Sequence, residues 1–192
     1  MPPEAMGKVL VIFAHPAFHR SRTNRVLVEA ARSAEGVTVH DLYETYPDFL
    51  IDARAEQRLL EEHDAVVLQH PFFWYSSPAL VKEWLDLVLQ YGWAYGEKGD
   101  ALRGKVMAQA ITAGGPEDAY QREGTNHFSV RELLSPFEQT ARLCGMAYAE
   151  AFTVHAANHI GDPDRTAAGE RYVEWLTAIR DGSASLWLPG PG

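Results

Sequence analysis

After its lysine, the segment KVLVIFA at residues 8–14 is apolar without a break, the pattern of a strand covered on both faces. Residues 22–34 then carry apolar side chains at helical spacing and stop short of Gly36, which predicts an amphipathic helix with a glycine stop signal. Residues 37–42 alternate as a second strand, residues 53–63 read as a helix, and AVVLQ at residues 65–69 is a third buried strand. Ser77 followed by Pro78 predicts an N-cap and a first helical position, with the helix running to about residue 90 and wetting Lys82, Asp86 and Gln90. Residues 105–112 form a fourth strand. Ser135-Pro136-Phe137-Glu138 has the spacing of a capping box opening a helix to about residue 143. A fifth strand over residues 149–155 and a closing helix over residues 164–180 complete the pattern.

Five strands alternating with five helices predict an α/β fold: a doubly wound parallel sheet with helices on both faces. A length of 192 residues suits one domain, with its core over about residues 8–181 and a loose tail over residues 182–192 ending in Pro-Gly-Pro-Gly. The hydrophobic share of 46% and charged share of 22% are those of a soluble globular protein. A net charge of −9 without a basic cluster argues against nucleic acid or an anionic membrane as the main partner. Cys144 is the only cysteine, so no internal disulfide forms, and it reads as a core residue at an apolar helix end. The first apolar run is too short for a signal-peptide core, and no 18-residue apolar span follows. The expectation is a soluble, cytoplasmic protein.

Ligands on doubly wound sheets bind beyond the carboxyl ends of the strands, which directs attention to the loops after strands one, three and four. The first reads His15-Pro16-Ala17-Phe18-His19-Arg20-Ser21-Arg22-Thr23-Asn24. It leads into a helix N-terminus, where free N–H groups and the dipole favour a phosphate, with Ser21 and Thr23 as hydroxyl donors. It has neither a glycine-rich dinucleotide fingerprint nor a Walker sequence, and taken alone it also fits a plain capped helix. The second loop, from Gln69 and His70 to Pro78, holds Phe72, Phe73, Trp74 and Tyr75 in succession. Four such rings cannot all enter one core, so some line a groove for a planar ligand, or a partner surface. The third begins Thr112-Ala113-Gly114-Gly115-Pro116, where two glycines let a ring approach the backbone, and Tyr120, Asn126 and His127 follow. Alone it also fits a flexible surface turn. The convergence of phosphate site, aromatic platform and glycine turn on one edge is the stronger signal.

Other signals carry less. His15 and His19, and His155 and His159, have the spacing of helical metal pairs but lack the intervening glutamate of a zinc hydrolase, so no metal site is expected. There is no G-x-S-x-G elbow for a serine nucleophile. The acidic stretch 56–62 reads as a solvated helix face.

With those segments in view, the chain resembles the flavodoxin-like NAD(P)H:quinone oxidoreductases, and within them the ancillary subunits of glutathione-gated bacterial potassium efflux antiporters. The likeness rests on His15 to Asn24, VTVHDLYETYPDFLID (37–52), QHPFFWYSSPALVKEWLD (69–86), YGWAYGEKGDALRGK (91–105) and TAGGPEDAY (112–120). It implies a flavodoxin-like strand order 2-1-3-4-5 and bound FMN, with FAD as the alternative. NAD(P)H would give hydride and a quinone-type acceptor would take two electrons. By position, His15, Ser21, Arg22, Thr23 and Asn24 would hold the phosphate side, and Phe72, Phe73, Trp74 and Tyr75 the ring edge. Thr112, Ala113, Gly114 and Gly115 would meet the pyrimidine end, Ala113 replacing the usual second threonine. Relatives place a tyrosine and a histidine after the double glycine to stabilise negative charge; Tyr120 matches the first, while spacing points to Asn126 and chemistry to His127 for the second. The resemblance further implies a homodimer, with Trp93 and Tyr95 closing the partner's site or packing locally. It also implies an alternative role as the regulatory flavoprotein of a potassium antiporter, held at the inner face of the membrane by that partner.

Overall fold

The segments of alternating character fold as a single twisted sheet between two helical layers in a computed structural model that describes residues 7–187. In chain order the elements are β1 (Val9–Phe13), α1 (Arg22–Ser33), β2 (Val37–Asp41), α2 (Leu42–Thr45), α3 (Ala53–Glu61), β3 (Ala65–Pro71), α4 (Ala79–Val88) and β4 (Val106–Thr112). They continue with α5 (Val130–Leu133), α6 (Ser135–Leu143), β5 (Ala147–Ala149), β6 (Phe152–Val154), α7 (Asp162–Arg180) and β7 (Leu186–Trp187). The strand order is β2-β1-β3-β4-β5-β7, with β6 also on β4, and every pairing is parallel except β5 with β7. The expected order 2-1-3-4-5 is therefore present, extended by an antiparallel edge strand.

Residues along β1, β3 and β4 are buried on both sides, and their side chains divide between two cores. Leu10, Ile12, Leu68 and Met107 face α3, α4 and α6 through Leu60, Trp84 and Phe137. Val9, Val11, Val67 and Ala108 face α1 and α7 through Leu27, Ala31, Tyr172 and Leu176. On that second face a β-carbon at Gly169 would come within 3.0 Å of Val26 Cγ1, so the glycine lets α7 lie close against α1.

Three boundaries differ from the sequence pattern. Leu134 precedes α6, whereas the reciprocal capping box belongs to Ser129 and Glu132 at the start of α5, which the pattern did not resolve. The cap of α4 is Pro78, with no side-chain bond from Ser77. The fifth strand is broken: Met107 pairs with Tyr148 and Ala110 with Phe152, so two residues of β4 face three between them. That extra residue is a bulge, and it reverses which face successive side chains reach; the strand expected over residues 149–155 begins at Ala147 and is interrupted after Ala149. The tail is also partly ordered, since Leu186 and Trp187 pair with Ala149 and Tyr148; residues 188–192 lie outside the described residues.

The stretch 56–62 is not throughout the solvated face that its charges predict: Glu56 of α3 is a buried carboxylate. It accepts hydrogen bonds from Tyr46 Oη at 2.7 Å and Trp84 Nε1 at 2.8 Å, and His40 Nε2 sits 2.8 Å from the same carboxyl group. Burial disfavours its charge, but the three bonds outweigh burial and hold the pKa below the ordinary carboxylate value. A depressed folded-state pKa contributes stability that is complete above the ordinary carboxylate range and lost as pH falls through the folded value. Glu56→Ala strands the buried Trp84 and Tyr46 donors and is expected to cost about 3 kcal/mol near neutral pH. Chemical denaturation at pH 7 and near pH 4 checks this, the difference between parent and variant shrinking at the lower pH.

Candidate active site

The three informative loops leave the sheet at one level because the parallel register aligns the strand ends. Phe13 pairs with Gln69 and Pro71 with Thr112. Backbone bonds then continue the sheet past its last residues: Ala14 N–H to Gln69 O, Phe72 N–H to Thr112 O and Ala113 N–H to Val154 O, each 2.9 Å. The loops open onto two adjoining hollows of about 400 and about 360 Å³, which share Phe72 and Gly114.

The first hollow has a polar end built by α1. Ser21 caps the helix, its Oγ accepting the Asn24 N–H at 3.3 Å. Asn24 is itself buried, and its Nδ2 donates to Ser21 Oγ at 3.1 Å and to Thr112 Oγ1 at 2.9 Å. Thr23 Oγ1 donates to Ala157 O at 2.7 Å, tying α1 to the loop after β6. His15 Nδ1 accepts the Ala17 N–H at 3.1 Å, which puts its proton on Nε2, and burial lowers its pKa so that the ring is neutral at pH 7. His15, Ser21, Thr23 and Asn24 line this end, as expected, but Arg22 is exposed outside it and Arg20 lines it instead. Pro71, Ala157 and Asn158 also line it and were not anticipated.

The aromatic loop forms the wall between the hollows. Phe72 packs on the core, whereas Phe73, Trp74 and Tyr75 are exposed, Trp74 to 92%. Trp74 and Tyr75 have left-handed backbones (φ 51° and 61°), a conformation that costs a non-glycine residue about 1 kcal/mol or more. Rings continue across the loops: His15 lies 6.2 Å from Phe73, and Phe72 lies 6.5 Å from Tyr75 and 6.0 Å from Tyr120.

The glycine turn and the residues after it form the second hollow. A β-carbon at Gly114 would stand in open space with Asn158 Nδ2 at 3.8 Å, while one at Gly115 would press on the Tyr120 ring at 3.3 Å. Thr112, Ala113 and Gly114 line the first hollow, and Gly114, Gly115, Tyr120 and Asn126 the second. Asn126 Oδ1 accepts from Tyr75 Oη at 3.1 Å. His127 is exposed, with a left-handed backbone (φ 60°), and lines neither hollow. Position 126, not 127, therefore faces the cleft. Burial raises the Tyr120 pKa, with the Tyr75 hydroxyl adding to it and the Gly115 backbone opposing it. Among the described residues no group of three or more His, Cys, Asp or Glu could hold a metal ion.

A family model described as the flavodoxin-like fold matches residues 7–177. The chain belongs to the flavodoxin-like family. One curated relative, the glutathione-regulated potassium-efflux ancillary protein KefG of Pectobacterium carotovorum, is 47% identical over 89% of this chain and 93% of its own length. Among solved flavodoxin-like structures, general stress protein 14 of Treponema denticola in complex with FMN is 41% identical, covering 90% of this chain and 99% of that one with a TM-score of 0.84. An NADPH-quinone reductase from P. pentosaceus is 30% identical, covering 88% and 96% with a TM-score of 0.80.

Because Asn24 joins α1 to β4 by hydrogen bonds with no solvent to replace them, Asn24→Ala is expected to lower stability by about 2 to 3 kcal/mol. Ser21→Ala, which removes the cap, is expected to cost about 1 kcal/mol. The two share a bond, so the double variant loses less than the sum in urea unfolding.

Proposed function

We propose that this protein is an FMN-dependent NAD(P)H:quinone oxidoreductase whose cofactor lies along the carboxyl edge of the sheet. The observation that carries the reading is the single cleft in which a capped helix N-terminus, an aromatic wall and a Gly-Gly turn converge. The cradle suits the group, because Gly114 presents backbone where any side chain would fill the cleft and the Gly114 N–H donates no hydrogen bond among the described residues. The FMN complex and the NADPH-quinone reductase among its relatives support the same reading.

Bound FMN would supply two-electron chemistry between a hydride donor and a quinone. The chain's own residues bind, orient and stabilise charge. The first N–H groups of α1, with Ser21, Thr23, Arg20 and the Nε2–H of His15, would hold the phosphate. Asn24 would act one step back, fixing Ser21 and Thr112. The backbone of Phe73 and of the strained Trp74 and Tyr75 would run along the ring edge, and the exposed rings would form one side of the slot that NAD(P)H and quinone enter in turn. Gly114 and Gly115 N–H groups and the Tyr120 hydroxyl would face the negative charge that accompanies reduction, where fixed donors in a dry site act most strongly.

The KefG relative supports a second role for the same flavoprotein, docking on a potassium efflux antiporter at the inner face of the membrane. No helix among the described residues is long and apolar enough to cross a membrane, so such attachment would run through the partner. A homodimer belongs to this reading as well. Within one chain Trp93 Nε1 donates to Glu61 Oε1 at 2.8 Å and both Trp93 and Tyr95 pack against the core, so of the aromatics in this segment Tyr91, exposed to 67%, is the one best placed to reach a second subunit.

Anaerobic rapid mixing tests the proposal. NAD(P)H is expected to bleach the flavin absorbance of the loaded protein, and a quinone to restore it; a flavin spectrum that neither reagent alters overturns the reading. Tyr120→Phe keeps its flavin but turns over at least about tenfold more slowly, as expected for loss of one charge-stabilising donor.

A further inference from the structure

A quinone becomes a hydroquinone by gaining two electrons and two protons, whereas NAD(P)H delivers two electrons and one proton as hydride. The balance NAD(P)H + quinone + H⁺ → NAD(P)⁺ + hydroquinone leaves one proton to come from elsewhere. The groups on the Tyr120 side of the cleft differ sharply in their ability to hold it. Asn126 is an amide already accepting from Tyr75, and His127 points outside both hollows. Tyr120, its pKa raised by burial, gives up its own proton only in strong base.

His155 lines neither hollow itself, but it has the right chemistry and reaches the cleft through Tyr120, which lines the second. Its ring lies against Tyr120, with centroids 5.4 Å apart and planes 46° from parallel. Its Nδ1 is buried and has no hydrogen-bond partner, as is also true of His70 Nε2, Gln109 Nε2 and Arg165 Nε among the described residues, but of these four only the His155 ring lies against Tyr120. The chain around it is clamped to the glycine turn. Ala156 N–H donates to Gly115 O at 2.8 Å and Ala157 N–H to Ala113 O at 2.9 Å, while Thr23 Oγ1 holds Ala157 O at 2.7 Å. Ala156 is left-handed (φ 48°), a strained state for alanine that turns the backbone onto Gly115 directly after the histidine.

We infer that His155 is a positioning residue acting through Tyr120: its imidazole takes a proton from water when an electron pair enters the cleft, and that proton passes by way of the Tyr120 hydroxyl to the quinone oxygen as the pair leaves. This rests on the FMN reading above. Burial lowers the imidazole pKa and keeps the ring neutral at pH 7 before reduction, opposed by the Glu117 carboxylate and then by the Gly115 backbone. Glu117 and Tyr120 bear on it from the turn beyond the double glycine, the glycine turn presents only backbone, and His159 lies four residues on along its own loop. Negative charge arriving in the cleft adds to that of Glu117 and favours the imidazolium, so electron and proton uptake are linked.

The midpoint potential of the FMN-loaded protein, measured between pH 6 and 8, reads this linkage directly. The parent is expected to follow a slope of two protons per electron pair, and His155→Asn a slope of one, a twofold difference, with flavin retained in both. Equal slopes with FMN bound overturn the inference and leave the oxidoreductase reading standing; failure of the parent to bind FMN overturns both. Should His155→Asn not fold, NMR titration of the His155 ring in the parent decides instead. An apparent pKa that rises on photoreduction supports the inference, and an unchanged one overturns it.

Discussion

The site depends on one buried amide. Asn24 Nδ2 joins the helix cap at Ser21 to the last residue of β4, Thr112, across 88 positions of sequence. Its Oδ1 lies 3.5 Å from Gln69 Nε2, and Gln69 Oε1 in turn accepts from Tyr172 Oη of α7 at 3.0 Å. A parallel register can level the strand ends, but it does not fix the loops that leave them. A buried polar chain does, because any displacement strands groups that no water reaches. Thr23, one residue earlier, extends the same fixing to the loop after β6.

Around this rigid centre the edge carries the unfavourable features. Left-handed backbone at Trp74, Tyr75 and Ala156, exposed aromatic rings and a buried imidazole nitrogen without a partner all lie at the carboxyl ends of the strands. The two cores beneath are mainly apolar; the exceptions include the Glu56 network, whose charge is fully partnered, and the buried Gln69, His70 and Gln109 of β3 and β4, of which His70 Nε2 and Gln109 Nε2 lack partners. Strain of this kind persists only where surrounding structure holds it, and here it presents backbone N–H groups and ring faces to a ligand. The separation of a settled interior from a strained edge is what a flavodoxin-like sheet offers an electron-transfer cofactor.

Much of this was legible in the residues. Apolar runs identified β1 and β3, residues 105–112 were read as the strand that is β4, and the three loops after them converge as topology demands. What escaped had specific causes. The bulge at residues 149–151 reverses alternation and so blurs the start of the fifth strand, while the loop after it, carrying His155, Ala157 and Asn158, escaped because only the loops after strands one, three and four were read for a ligand. A scan of all four adjoining strand ends, rather than three, would have found that loop. Spacing pointed to Asn126 and chemistry to His127; Asn126 lines the second hollow, while His127, with its left-handed backbone, does not. Arg20 and Arg22 are indistinguishable as charges, and the helix start at Arg22 decides which one faces the hollow.

The central claim is that the strand-end cleft holds FMN, and equilibrium titration of flavin-free protein with FMN tests it most directly. The account predicts one-to-one uptake with a dissociation constant of about 1 μM or below, of order 8 kcal/mol, and weaker binding by Asn24→Ala. Absence of saturable FMN uptake by folded protein at millimolar flavin would contradict it.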